Sequence, residues 1–223
     1  RHDPMPHYLR RGTALQNSTM TNHFLGKAIS GPFTIPSGIV STQTTIIDYV
    51  FRHVPEVGVV TTKSIGLAPR AGNREQAAAA LAGLTVPDDR FLLTSIFGAD
   101  LDEFVQVARL LAPCSDGLEL NLSCPHAKGY GMAIGQDPEL VRAITAAVKA
   151  AVDIPVIPKL TPNTPDIGRI ARAAVAGGAD AICAINTVGP GLFTAWGQPV
   201  LSNGLGGMSG KGVLPIGLKC VRE

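Results

Sequence analysis

Short, almost unbroken apolar runs alternate with stretches of helical periodicity along most of this chain, and that alternation constrains the fold more than any other feature. Runs at 33–39, 58–65, 90–97, 117–123, 155–160 and 181–186 read as strands. A strand that is apolar on both faces is covered on both sides, as in a parallel sheet flanked by helices. The intervening segments supply those helices. An apolar-periodic stretch occupies 46–53, the alanine run 77–80 reads as helix, and 101–111 carries apolar residues three and four apart. Asp137 followed by Pro138 marks a helix start that runs to about Val152. The segment 167–176 is a helix stopped by Gly177-Gly178, and a last helix spans 213–223. Successive right-handed βα units build either a barrel or a doubly wound sheet. The doubly wound form lacks its glycine-rich GxGxxG turn after the first strand here. The reading is therefore an α/β chain with a (β/α)8 TIM-type barrel, of which about six βα units are present. Closure takes eight, so the barrel is expected to be incomplete, truncated before its last two βα units. Residues 1–23 read as an N-terminal extension and 24–223 as the barrel domain.

Composition excludes several functions. Lys+Arg number 19 against 17 Asp+Glu, a net charge of +2, which argues against a dedicated nucleic-acid binder or a polybasic membrane surface. Aromatic residues make up 5%, too few for a platform that stacks single-stranded nucleic acid. The four cysteines, at 114, 124, 183 and 220, show no metal-ligand spacing, so no metal site is expected and a reduced, cytoplasmic setting is the natural one. Cys114 and Cys183 border apolar runs and are expected to pack as small hydrophobes. No apolar run approaches the roughly 18–20 residues of a membrane span, and RHDPMPHYLRR is followed by no apolar stretch of a secretory signal.

In a (β/α) barrel the loops that follow the strands converge on one edge, where the active site is built. Lys63, Asn121, Cys124, Lys159 and Asn186 all fall at strand C-termini. The segment ELNLSCPHAKGYGMAIG sets Asn121, Ser123, Cys124 and His126 at one strand end and the loop after it. A thiol there can act as nucleophile or acid–base, although a free cysteine taken alone is more often a packed apolar side chain. The glycines between 129 and 135 read as a lid able to exclude water. Lys63, in VVTTKSI, and Lys159, in PVIPKLTPN, end buried strands, where a cation needs an anionic partner. Two lysines facing one cavity suggest a cofactor that becomes anionic, such as reduced flavin. The bland alternative is two solvated strand-end lysines. Asn186-Thr187 offers donors and acceptors to a flat heterocycle. The turn GLGGMSG before a helix start offers backbone N–H groups, as many glycine turns do without binding anything.

The order TKSIGLAPRAGN, ELNLSCPH, a glycine-rich lid, GQDPELV, KLTPN, INTV and GGMSG resembles the class 1 dihydroorotate dehydrogenase family, over about residues 24–223. The pyrimidine-reducing domain of dihydropyrimidine dehydrogenase shares NLSCPH and GQDPELV. The resemblance implies an FMN-dependent oxidoreductase of pyrimidine biosynthesis that oxidises dihydroorotate to orotate. Cys124 matches the base that takes the C5 proton, while hydride passes from C6 to FMN. Lys63 and Lys159 match lysines that contact FMN, Lys159 being placed to stabilise the reduced ring. Asn121, Asn186 and Thr187 match residues around the pyrimidine, and Asn121 and Lys63 touch both ligands in this reading. Ser37 and Gly38 match the small residues against which the flavin lies, and Gly207, Ser209 and Gly210 fall in a further flavin-contacting turn. The resemblance also implies a homodimer and, for transfer to NAD, a partner subunit with FAD and an iron–sulfur cluster; fumarate is the other acceptor. The membrane-bound class, with serine as base and a hydrophobic N-terminal extension, fits less well.

Three departures stand out. His126 occupies a position where dihydroorotate dehydrogenases usually have asparagine and pyrimidine-reducing relatives have histidine. The family's longer segment with a further substrate asparagine is missing between Asn73 and Glu75. The chain stops before the units whose glycine turns bind the FMN phosphate, and these gaps are expected to reflect omitted or disordered residues, or a degraded chain, more than a minimal enzyme. Uracil or thymine reduction, to which His126 adds a substrate contact, and a non-catalytic barrel scaffold are the alternative functions.

Overall fold

The computed structural model describes residues 22–38, 40–67, 74–123, 134–189, 196–200 and 206–223. Two short strands, β1 (Asn22–Phe24) and β2 (Lys27–Ile29), form an antiparallel hairpin. Its turn places Leu25 at φ 48° and Gly26 at φ 86°, the backbone sense that lets a two-residue loop follow the strand twist. The sequence reading missed this hairpin, because three-residue strands are too short to display a period.

Six parallel strands follow in chain order: β3 (Phe33–Ile35), β4 (Val57–Thr61), β5 (Phe91–Ile96), β6 (Gly117–Asn121), β7 (Val156–Leu160) and β8 (Cys183–Ala184). The helices are α1 (Thr44–His53), α2 (Arg74–Ala82), α3 (Leu101–Leu111), α4 (Pro138–Ala151), α5 (Ile167–Ala176) and α6 (Leu214–Arg222). The sheet is an open, incomplete barrel with β3 and β8 at its edges, as the strand count anticipates. Every sheet strand lies inside or within one residue of its expected run, but most stop early. Pro36 has no N–H to continue the β3 ladder, and β4 and β6 release their last residues into the loops of the C-terminal edge.

Strand alternation separates two cores. Leu92, Ile96, Leu118, Leu120, Val156 and Leu160 face the helices, against Phe51, Phe104, Val107, Val141, Val148 and Ile170. The residues between them face inward, where Val59, Phe91, Leu93 and Ile157 form a second cluster with Ile29 of the hairpin. Phe24 meets Phe91 edge-on at 5.0 Å, and Lys27 bonds Asp116 at 2.8 Å, so the hairpin seals the base of the barrel.

The helix starts follow their caps. Asp137 accepts from the N–H groups of Glu139 and Leu140, with Pro138 in the first helical position. Asp100 accepts from Glu103 N–H, and Glu103 reaches back to Ala99 N–H, a reciprocal cap. Asp166 accepts from Arg169 N–H, and Gly178 at φ 90° follows the end of α5. Asn22 and His23 open β1; the rest of the expected N-terminal extension lies outside the described residues. Among the described residues no helix is long and apolar enough to cross a membrane.

Candidate active site

Parallel strands end on one edge, and the polar side chains that close β6 and follow β4 and β8 meet there. Asn121 is the hub. Its Oδ1 accepts from Asn186 Nδ2 at 3.1 Å and from the backbone N–H and hydroxyl of Ser123 at 3.4 and 3.3 Å. Its Nδ2 donates to Ser64 Oγ at 3.1 Å. Ser64 Oγ in turn lies 2.8 Å from Ser95 Oγ and 3.3 Å from Ser37 Oγ. Asn186 Nδ2 also donates to Ser123 Oγ. The polarity of this web is set at Thr187, whose backbone N–H can only donate and meets Asn186 Oδ1 at 2.8 Å. Asn186 must therefore turn its Nδ2 towards Asn121, which turns its own Nδ2 to Ser64. Among the described residues, one N–H of Asn121 and one lone pair of Asn186 Oδ1 stay outside this web. Such a donor and acceptor suit the edge of a cyclic amide.

Two clamps hold the end of β8. Asn163, in the loop after β7, accepts from Gly189 N–H at 3.1 Å and donates to the Thr187 carbonyl at 3.5 Å. On the other side Met208 pairs with Val188 as an antiparallel bridge. A Cβ on Gly207 would sit 1.9 Å from Thr187 Oγ1, so a residue without a side chain permits that approach. Ser209 and Gly210 continue the same turn, exposed, with Gly210 at φ 86°.

Lys159 and Lys63 occupy different settings. Lys159, on the inner face of β7, is 7% exposed and lies 3.5 Å from the carboxylate of Glu119, itself 1% exposed. The counter-ion that the sequence reading sought in a cofactor is present in the chain itself. Cys183 joins the pair from β8, where it is in register with Lys159. Burial first, then the Glu119 charge, pushes its thiol up to about 12, against the pull of Lys159. Cys183 also packs on the inner cluster and Cys114 on the outer core, both as expected. Lys63 is exposed and lines a cleft of about 630 Å³ between the start of α1, the segment after β4, and α2. Ser41, Thr45, Gln76 and Phe97 share that cleft, and Lys159 does not line it. α2 begins at Arg74, where the family resemblance calls for a longer segment.

The family model for dihydroorotate dehydrogenase matches residues 87–223. A relative from Methanosarcina mazei, the catalytic subunit of dihydroorotate dehydrogenase B (NAD(+)), is 43% identical over 222 residues, spanning 89% of this chain and 70% of its own length. The chain belongs to the dihydroorotate dehydrogenase family. The Pyrococcus horikoshii protein of the same description is 42% identical over 219 residues, spanning 89% of this chain and 72% of its own. Among solved structures, Eimeria tenella dihydroorotate dehydrogenase in complex with ferulenol aligns with a TM-score of 0.73 over 96% of this chain and 71% of that one. Its 16% identity makes this a likeness of fold, and it identifies the six-stranded sheet as part of a TIM-type barrel.

Dihydroorotate dehydrogenases are flavin enzymes in general. The described residues of this family member fit a flavin ring. The mouth presents neutral amide and hydroxyl groups from Asn121, Ser64 and Ser37, and its cation, Lys159, comes from the inner wall. Among the described residues, the carboxylate beside them, Glu119, is already paired. A Cβ on Gly38 would meet nothing nearer than 3.8 Å, so the backbone there leaves room for a flat group.

Cys124 and His126 lie outside the described residues, as do 129–133 of the expected lid. The preceding Ser123 is fixed in the web. Sequence reasoning missed Glu119, Ser64, Ser95 and Asn163. Glu119 was the legible one, since a carboxylate amid the apolar residues of a parallel strand requires a buried partner. Ser64 and Ser95 carried no signal, because serines at strand ends are common in any barrel.

Proposed function

We propose that this chain is the catalytic component of a dihydroorotate dehydrogenase, oxidising dihydroorotate to orotate with bound FMN. Relatives at about 40% identity carry that activity in their names. The single observation that favours it in the site itself is the Asn121–Asn186 pair, which offers a donor beside an acceptor at the mouth of the sheet.

In this reading bound FMN would supply the acceptor for the hydride that leaves C6 of the dihydropyrimidine. Cys124 takes the C5 proton. Its thiol is a base once ionised, and it sits one residue beyond Ser123. Asn121 and Asn186 hold the pyrimidine edge, with Thr187 beside them, so orientation supplies part of the rate. Lys159 offers positive charge to the reduced ring, and Lys63, Ser37, Gly38, Gly207, Ser209 and Gly210 contribute further flavin contacts. His126 lies in the substrate loop. The relatives are described as a catalytic subunit, which supports a second subunit that carries electrons onward to NAD.

The test is anaerobic. The purified protein is titrated with FMN and mixed with dihydroorotate; bleaching of the bound flavin with formation of orotate is the expected result. Binding of FMN without reduction by dihydroorotate overturns the substrate, and no FMN binding overturns the flavin reading. Reduction of uracil by a reduced nicotinamide, without dihydroorotate oxidation, assigns the chain to the reaction that His126 favours.

A further inference from the structure

Glu119 is the charged residue of β6, and strand alternation puts its side chain on the same inner face as Asn121, one step deeper in the barrel. A buried carboxylate is costly unless it is paired. Its partner is Lys159, at 3.5 Å, looser than the roughly 2.7–2.9 Å of a close charge-assisted bond. Lys159 is opposite Asn121 in the β6–β7 ladder, so it belongs to the layer of the mouth. Glu119 from β6 and Cys183 from β8 are the titratable groups set against Lys159 among the described residues. Cys183 remains a neutral thiol at ordinary pH, so the counter-charge rests on Glu119. An ammonium has three N–H donors, and the bond to Glu119 occupies one.

We propose that Glu119 is a positioning residue for the flavin reaction: it holds the Lys159 ammonium charged at the mouth before any negative charge develops there. The inference deepens the FMN reading above and takes its chemistry from it. Without Glu119, a lysine nine-tenths buried and lacking a counter-ion gives up its proton. With Glu119 the pair is neutral overall, so an oxidised ring meets no uncompensated cation. The loose geometry leaves the remaining N–H groups available when charge builds on the ring, a preorganised stabilisation.

The experiment compares wild type, Glu119→Gln, Glu119→Asp and Lys159→Met by two readouts. The first needs no flavin. The Lys159 ε-carbon is followed by NMR in 13C-lysine protein, its signal assigned by its loss in Lys159→Met. Glu119→Gln is expected to lose the charged-lysine signal at lower pH than wild type, and Glu119→Asp to restore the wild-type profile. Superimposable titrations of wild type and Glu119→Gln overturn the proposal. The second readout is the midpoint potential of bound FMN against pH. In Glu119→Gln it is expected to match wild type under acid conditions and to drop to the Lys159→Met value as pH rises, a loss of about tenfold or more in preference for the reduced ring. A potential equal to wild type at every pH overturns the positioning role. If no protein binds FMN, the flavin reading fails, while the lysine titration still decides whether Glu119 holds the charge. Should Glu119→Gln not fold, the double variant Glu119→Gln/Lys159→Met removes both charges. It is expected to fold and to share the potential of Lys159→Met; any other value overturns the proposal.

Discussion

Asn186 Nδ2 donates to Asn121 Oδ1 at 3.1 Å and thereby ties the end of β8 to the end of β6 across the intervening β7. The two amides are 65 positions apart in sequence, and the parallel sheet alone delivers them to one place. They share Ser123 as a further partner, so each orients the other. The geometry of the mouth is therefore set by the pair more than by either residue.

Asn186→Ala releases Asn121 Oδ1 from its β8 partner and removes the acceptor beside it. With roughly 1–3 kcal/mol at stake in hydrogen bonds of this kind, kcat/KM for dihydroorotate should fall about 10–100-fold. Asn121→Ala should do the same. Because the residues act as a unit, the double variant should cost less than the sum of the two single losses in free energy. Steady-state kinetics on the FMN-loaded protein decide this, and strict additivity would mean that the amides act separately.

Gly207→Ala should damage the site from outside the web. The new Cβ would fall 1.9 Å from Thr187 Oγ1, so the turn or the end of β8 has to move. Overpacking of this kind typically costs about 1–3 kcal/mol. The expected result is a lower urea midpoint together with weaker dihydroorotate binding, since Thr187 adjoins Asn186. Gly212→Ala is the control, because a Cβ there meets nothing within 4 Å.

How much of this was legible in the sequence varies with the range of the interaction. The six sheet strands and most helices could be read because their signals are local: apolar runs, and caps such as Asp137 with Pro138. The strand-end location of Asn121, Lys159 and Asn186 followed from the parallel arrangement, and the structure brings Asn121 and Asn186 into contact. What could not be read was pairing at a distance. Lys159 looked like a cation in need of an external anion, yet its partner Glu119 lies 40 residues earlier in the adjacent strand. The β1–β2 hairpin escaped for the opposite reason: its strands are too short for any period, and its position depends on Phe24 meeting Phe91.

Cys183 makes the alkaline stability of the protein testable. Its thiol is raised from 9.0 to about 12, chiefly by burial and then by Glu119. Below about pH 9 the thiol is protonated both folded and unfolded, so its contribution is full and constant. Between about 9 and 12 the unfolded chain loses a proton that the folded chain keeps, and stability declines as pH rises. A group in that window contributes up to about 1.4 kcal/mol per pH unit. Cys183→Ala should therefore lose less stability than wild type between pH 9 and pH 10.5 in urea unfolding, with little difference in slope around pH 7–8. Parallel pH profiles would show that the thiol titrates as it does in the unfolded chain.

Cys124→Ala tests the proposed base. Ser123 precedes it in the web of Asn121 and Asn186, so the mouth should survive the substitution and FMN should still bind. Loss of a positioned general base typically costs about 10²–10⁴ in rate. Dihydroorotate should then reduce the bound flavin more slowly by that factor, and deuterium at C5 should cease to wash out into solvent. Cys124→Ser should recover part of the rate only at higher pH, since a hydroxyl ionises far less readily than a thiol. Rapid mixing of dihydroorotate with FMN-loaded variants measures both effects. Unchanged flavin reduction in Cys124→Ala would transfer the proton to another residue and leave Cys124 without a part in the reaction.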